Sequence, residues 1–446
     1  MIASILVIYW LQPASSVRHL DFWLPTGCIL LTIFSWALTR KKNDPSLHSD
    51  RITGLVIFFV VFLVGFTRYL GPVCCLTPTR PPEIYQIATL VVTMFLLFLI
   101  FTQFGSGRSA WLYAGMVVIM SVFIGLKSEP LAKLISQGFR SLNAQSLQLA
   151  SATDIRWLGF SYVAFRLIHT LRDRLSGRLP ELDLKDYVIY VIFFPAFTAG
   201  PIDRAQHFTQ DLHQPFHPSL QTTLLGGKRI LWGIFSKFVL ADGLALIALS
   251  NNNSSQVISS GWLWVMLYAY ALRIFFDFSG YTHIAIGLGQ ILGIQLPENF
   301  DRPYLKRNLT LFWNSWHITL AQWFRAYFFN PLTRALRSNP RNIPMPLIIF
   351  VGQLSTFTLI GLWHGISWNF AIWGAWHGLG LFIHNRWTNL MRSKASWLEG
   401  QATLNRFLSI SSTVLTFQYV SLGWVWFALT DPAQSWHTLL KLFGSG

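Results

Sequence analysis

Charge is scarce in this sequence. Of 446 residues only 12% are Asp, Glu, Lys or Arg, and acids are the scarcer sign, 18 against 34 basic residues. Soluble globular chains carry about 25% charged residues, so a soluble or disordered class is excluded. Cysteine is equally sparse. Cys28, Cys74 and Cys75 make no metal-ligand spacing, adjacent cysteines rarely bridge, and none is given a role. The signatures of common catalytic devices are missing too. There is no Gly-x-Ser-x-Gly elbow, no His-Glu-x-x-His zinc pair and no Walker phosphate loop.

What fills the chain instead is apolar. Hydrophobic residues make up 52%, with 20 Trp and 37 Phe. A bilayer crossing takes about 20 apolar residues. Runs at or near that length occupy 22–38, 53–70, 84–104, 110–126, 157–171, 187–199, 230–249, 262–278, 281–294, 345–363, 368–384 and 407–427. The expectation is an all-α polytopic membrane protein, residues 1–446 forming a single domain, because no polar connection is long enough for a second fold. Residues 1–11 lack a basic n-region and a small-residue cleavage site, and read as a retained membrane segment. The net charge of +16 gathers in short connections at 40–42, 172–178, 302–307 and 386–394. That pattern marks cytoplasmic loops and headgroup contacts; it does not call for nucleic acid.

Ionisable groups at membrane depth are costly and are functional candidates by default. Arg273 and Asp277 stand four apart and can pair on one helix face, either as packing or as function. Ser279 and Gly280 beside them let a second backbone approach. Residues 309–329 hold too many polar positions for a lipid-facing span, and read as one isolated interfacial or re-entrant helix. Trp313, His317, Leu320 and Phe324 would share its face. Trp363-His364-Gly365 returns as Trp376-His377-Gly378 in a stretch without Asp, Glu, Lys or Arg. On one straight helix those two imidazoles would lie about 140° and about 20 Å apart, unable to serve one atom. Gly365, Ser367 and Asn369 instead favour a break after His364.

A nearly acid-free, His-bearing membrane core points to imidazole as a general base that takes the proton of an attacking hydroxyl. A thioester needs little further activation, and apolar walls from Trp363, Trp368 and Trp373 would keep water from it. Two alternatives stand beside this. A b-type haem protein would need a second pair of histidines at matching spacing, which the remaining histidines do not supply. A transporter or channel for an acyl or lipid-linked envelope precursor would use Arg166, Arg273 and Asp277 along its path.

Four blocks carry a family resemblance: LGFSYVAFR from Leu158, FFPAFTAGPIDR from Phe193, FFDFSGYTHIAIGLGQILGI with NFDRPYL from Phe275, and FWNSWHITLAQWFRAY from Phe312 followed by GLWHGISWNFAIWGAWHG. In combination and order they resemble the membrane-bound O-acyltransferase (MBOAT) superfamily. The match is to its bacterial branch of alginate O-acetylation and teichoic acid D-alanyl transfer proteins, over a core of about 157–387. The resemblance implies about eleven transmembrane helices plus re-entrant or interfacial helices around a central tunnel, in the inner (plasma) membrane. It makes His364 catalytic and His317 a second tunnel residue. Trp363, Trp368, Trp316, Asn369, Asp277, Arg325 and Tyr281 are the expected substrate-binding set. It implies no metal and no tightly bound cofactor. The donor would be an acyl thioester on coenzyme A or on an acyl carrier protein's phosphopantetheine, arriving from the cytoplasm. The acceptor would be an envelope polysaccharide, glycan or teichoic acid, or a separate extracytoplasmic transferase. The chain departs from the family at Ala326, where Asp is frequent, at Thr333-Arg334, where Gly-Gly is frequent, and at Thr282-His283, where Ser-Asp follows the tyrosine. The segment Gly200-Pro201-Ile202-Asp203-Arg204 looks D-alanyl-like, while the run after Gly365 looks acetyl-like.

Overall fold

A computed structural model describes residues 1–40, 47–71, 74–104, 109–215, 219–391 and 402–445. The basic positions Lys41, Lys42, Arg392 and Lys394 lie outside the described residues. Helix accounts for 75% of the described residues, and no strand occurs among them. Apolar composition explains this: where lipid offers no hydrogen bonds, a helix satisfies its backbone within one segment.

Four helices among the described residues are long and apolar enough to cross a membrane, at Leu20–Thr39, Ser49–Tyr69, Ser109–Lys127 and Met345–His364. Other expected runs differ in form. The runs at 262–278 and 281–294 merge into one 32-residue helix, Ser260–Ile291. Gly280 does not end it but receives another helix, since a Cβ there would sit 2.8 Å from the Gly233 carbonyl oxygen. Cys74 and Cys75 are bonded to one another, where adjacency argued against a bridge.

Internal contacts divide the chain into two compact units, Met1–Thr223 with Leu288–Leu296, and Leu224–Gly287 with Pro297–Gly446. The first carries α1 (Ile2–Trp10), α2 (Leu20–Thr39), α3 (Leu47–Phe66), α4 (Ile84–Phe104), α5 (Ser109–Lys127), α6 (Glu129–Leu142), α7 (Phe160–Leu175), α8 (Leu184–Val191) and α9 (Ala205–His213). Two of its buried ionisable residues, Asp154 and Arg166, are densely partnered. The Asp154 carboxylate accepts from Ser16 Oγ (2.6 Å), Ser136 Oγ (2.6 Å), Arg140 Nε (2.9 Å) and the Ser151 N–H (3.1 Å). Arg166, only 2% exposed, donates to the carbonyls of Tyr190, Val191 and Ala196.

The second unit takes α10 (Leu220–Phe235) from Leu224 on, α11 (Asp242–Ala245) and α12 (Ser260–Ile291) as far as Gly287, then α13 (Leu309–Trp313), α14 (Ile318–Phe324) and α15 (Asn330–Arg337). It ends with α16 (Met345–His364), α17 (Trp368–Met391), α18 (Ala402–Ala428) and α19 (Pro432–Leu442). Helices α16 and α17 form an antiparallel hairpin whose backbones touch at glycines. A Cβ on Gly361 would collide with the Phe370 carbonyl, one on Gly374 with the Phe357 carbonyl, and one on Gly378 would sit 2.9 Å from Leu354 Cα. Small residues at such a seam allow the close backbone approach that helix association in lipid depends on.

Candidate active site

His364 is the last residue of α16, and Gly365 follows in extended backbone (φ 179°). The helix therefore breaks where the glycine and Ser367 suggest, and the imidazole stands half-buried at the hairpin tip. Aromatic rings enclose it: Trp363 at 4.5 Å between ring centres, Phe427 at 4.8 Å, Trp373 at 5.6 Å and Phe370 at 5.9 Å. One turn further along α17, His377 packs on the same Trp373 indole, at 5.1 Å. His377 is fully buried and makes no hydrogen bond among the described residues.

The neighbourhood of His317 differs from the sequence expectation. A single helix over 309–329 does not form. The chain breaks between α13 and α14, passes through a π-helical turn at Arg325–Phe329, and continues in α15. His317 is the N-cap of α14 in the left-handed region (φ 44°, ψ 54°), so the shared face with Trp313 and Leu320 is lost. A neighbouring loop causes the break. The Asp301 N–H donates to the Ser315 carbonyl (3.0 Å), and the Ile318 N–H donates to the Asn299 carbonyl (3.0 Å). Phe300 and Trp316 form an isolated bridge between these hydrogen bonds. Asn299 Oδ1 accepts from the Thr319 N–H (3.2 Å) and Thr319 Oγ1 (2.9 Å), and lies 3.1 Å from His317 Nδ1. Left-handed backbone costs a non-glycine residue about 1–2 kcal/mol, and these hydrogen bonds, at about 1 kcal/mol each, offset it.

The two imidazoles meet through one indole. Trp363 lies 4.5 Å from the His364 ring and 6.1 Å from the His317 ring, while Phe278 of α12 packs edge-on to His317 at 4.7 Å. His364, His317 and Trp363 are thus brought together as a group.

The remaining expected residues have other partners than these three rings. Asp277 pairs with Lys237, whereas the sequence pattern offered Arg273, which is exposed. Helical spacing permits the Arg273 pair but cannot foresee α10 crossing at Gly280. Asn369 donates to the Leu429 carbonyl (2.7 Å) and Ser435 Oγ (2.8 Å), tying α17 to the segment around α19. Trp316 packs among Phe275, Phe300, Tyr304, Phe312 and Trp424. Arg325 is exposed and donates to Asn314 Oδ1 (2.7 Å). Tyr281 is half-buried in α12, and Trp368, opening α17, is 77% exposed and outside the rings around His364. Asn299 and Phe278 were not singled out from the sequence. Their one signal was membership of the blocks NFDRPYL and FFDFSGY.

Residues 83–416 match the family model described as "MBOAT, membrane-bound O-acyltransferase family". The chain is 30% identical over 296 residues to the teichoic acid D-alanyltransferase of Streptococcus thermophilus, covering 61% of this chain and 70% of that protein. It is 31% identical over 290 residues to the "Probable alginate O-acetylase AlgI" of Pseudomonas aeruginosa, covering 65% and 52%. Against the peptidoglycan O-acetyltransferase of Helicobacter pylori it is 32% identical over 287 residues, covering 61% and 51%. It therefore spans about half the length of these two acetylation proteins.

Proposed function

This chain belongs to the membrane-bound O-acyltransferase family and is an O-acyltransferase, and from that premise we propose that it moves a short acyl group, acetyl or D-alanyl, from a cytoplasmic thioester to a hydroxyl of an envelope polymer. The relatives named for teichoic acid, alginate and peptidoglycan support the acceptor class. The donor is acyl-coenzyme A or an acylated carrier protein. The polymer accepts directly, or a separate extracytoplasmic transferase accepts in its place. The whole chain acts as one multi-pass domain of the inner membrane, with about eleven spans and re-entrant segments around a tunnel, its basic loops toward the cytoplasm.

The observation that carries this reading is the Trp363 indole in contact with both His317 and His364. His364 is the general base. The acceptor oxygen attacks the thioester carbonyl carbon while its proton passes to the imidazole. The carbon–oxygen bond forms, the carbon–sulfur bond breaks, and the proton is returned to the leaving sulfur, giving an ester and a free thiol. His317 orients the acceptor. The rings of Trp363, Phe370, Trp373 and Phe427 exclude water that would otherwise hydrolyse the donor. The exposed indole of Trp368 suits stacking on the substrate as it approaches, and Asp277 with Lys237 supports the helix pair beside the site.

The test is transfer of labelled acetyl or D-alanyl from its thioester to a soluble envelope glycan, using the protein in proteoliposomes. Wild type transfers one of the two labels, and His364→Ala loses it while inserting normally. Full transfer by His364→Ala would defeat the reading.

A further inference from the structure

A buried amide decides which nitrogen of His317 carries hydrogen. Asn299 is fully buried and His317 is 4% exposed, so neither group has bulk water to satisfy it. The orientation of the Asn299 amide is set by a group with no freedom: the Thr319 backbone N–H, which only donates, points at its side chain over 3.2 Å. Reversing the amide would set N–H against N–H, so the oxygen faces Thr319. That same oxygen lies 3.1 Å from His317 Nδ1. Two lone pairs would repel there, so Nδ1 bears the hydrogen and donates it.

The consequence falls on the opposite edge of the ring. In a neutral imidazole with hydrogen on Nδ1, Nε2 is a bare acceptor. Nε2 is buried and accepts no hydrogen bond among the described residues, and the rings packed on His317 are those of Phe278 and Trp363. A buried acceptor left open costs about 1–3 kcal/mol, and the left-handed backbone at the same residue is a second local cost. Both fall on the residue that shares an indole with His364.

We infer that Asn299 is the positioning residue that holds His317 as its Nδ1–H tautomer, leaving Nε2 as a hydrogen-bond acceptor reserved for the hydroxyl of the acyl acceptor. The role given to the hydroxyl rests on the acyltransferase reading above; the tautomer does not. In this arrangement the acceptor hydroxyl donates to His317 Nε2 on binding, which fixes where its oxygen sits before His364 takes the proton.

The tautomer is read by solid-state ¹⁵N spectroscopy of histidine-labelled protein in lipid, with the His317 signals assigned by their loss in His317→Gln. Wild type is expected to show a protonated Nδ1 and a bare Nε2 at neutral pH, and Asn299→Ala to give a mixture of tautomers. A wild-type signal from Nε2–H or from imidazolium overturns the inference, and this measurement requires no Asn299 variant to fold. Activity supplies the second arm. Asn299→Asp puts a carboxylate beside Nδ1 and favours imidazolium, which cannot accept through Nε2. Its transfer rate is expected to fall at neutral pH and recover in alkali, the acidic limb of the profile moving up by at least about one pH unit. An even loss at every pH would mean that Asn299 only supports the loop, and would overturn the positioning role. Failure of wild type to transfer any acyl group would sink the acyltransferase reading and leave the spectrum unchanged.

Discussion

The two units both bury histidine, and the surroundings of His169 differ from those of His317 and His377. In the first, Arg166 donates to three carbonyls, and His169 shares a hydrogen bond with the Tyr190 hydroxyl, which itself donates to the Asp203 carbonyl. Because that hydroxyl has one hydrogen and gives it to Asp203, His169 must donate through Nε2. In the second, His317 keeps Nε2 open and His377 keeps both nitrogens open. Satisfied polar groups rigidify a core, and each unsatisfied one calls for an explanation. The difference teaches that a buried ionisable residue is not by itself a sign of chemistry.

Substitutions can break or sharpen that contrast. The largest effect is expected from His364→Ala, a loss of acyl transfer of about 10³-fold, since a positioned base contributes roughly 10²–10⁴. Turnover assays in proteoliposomes check it, and a loss under tenfold would remove His364 from the chemistry. Arg166→Met comes next. It strips three carbonyls of their donor and should cost about 3 kcal/mol in stability, while turnover per folded molecule stays within twofold. Thermal unfolding in detergent measures the first part. Lost turnover with unchanged stability would erase the distinction between the units.

Gly361→Ala drives a methyl into the Phe370 carbonyl across the α16–α17 seam. A cost of about 1–3 kcal/mol is expected, with a fall in turnover because the His364 tip moves. Unchanged stability would show that the hairpin is looser than its backbone contact implies. The smallest effect concerns Asp154. Burial works against its charge, but hydrogen bonds from Ser136, Ser16, Ser151 and Arg140 prevail and hold its carboxyl at about 2. A depressed carboxyl stabilises the fold above its ordinary value of 3.8 and ceases to do so as pH falls through about 2. The melting temperature should therefore drop between pH 4 and pH 2, and Asp154→Asn should flatten that part of the curve.

Much of this was legible beforehand, and the limits have physical causes. Low charge and long apolar runs announce helices in lipid, and Gly365 announces the break that frees His364. The break at His317 was hidden, because apolar spacing over 309–329 is helical throughout. What interrupts it is a tertiary partner, the loop bearing Asn299, whose hydrogen bonds outweigh local propensity. Asp277 shows the same limit: spacing along α12 offered Arg273, but a helix from elsewhere in the chain supplied Lys237. Spacing reports neighbours within a helix and is silent about those between helices.

The touching backbones of α16 and α17 constrain how this scaffold can diversify. With Gly361, Gly374 and Gly378 leaving no gap, the hairpin has no spare volume to give to a bulkier cargo. A descendant enzyme that accepts a longer acyl chain would have to gain its room by trimming the rings around His364, those of Trp363, Phe370 and Trp373 on the hairpin or of Phe427 on α18, and would inherit the backbone seam unaltered.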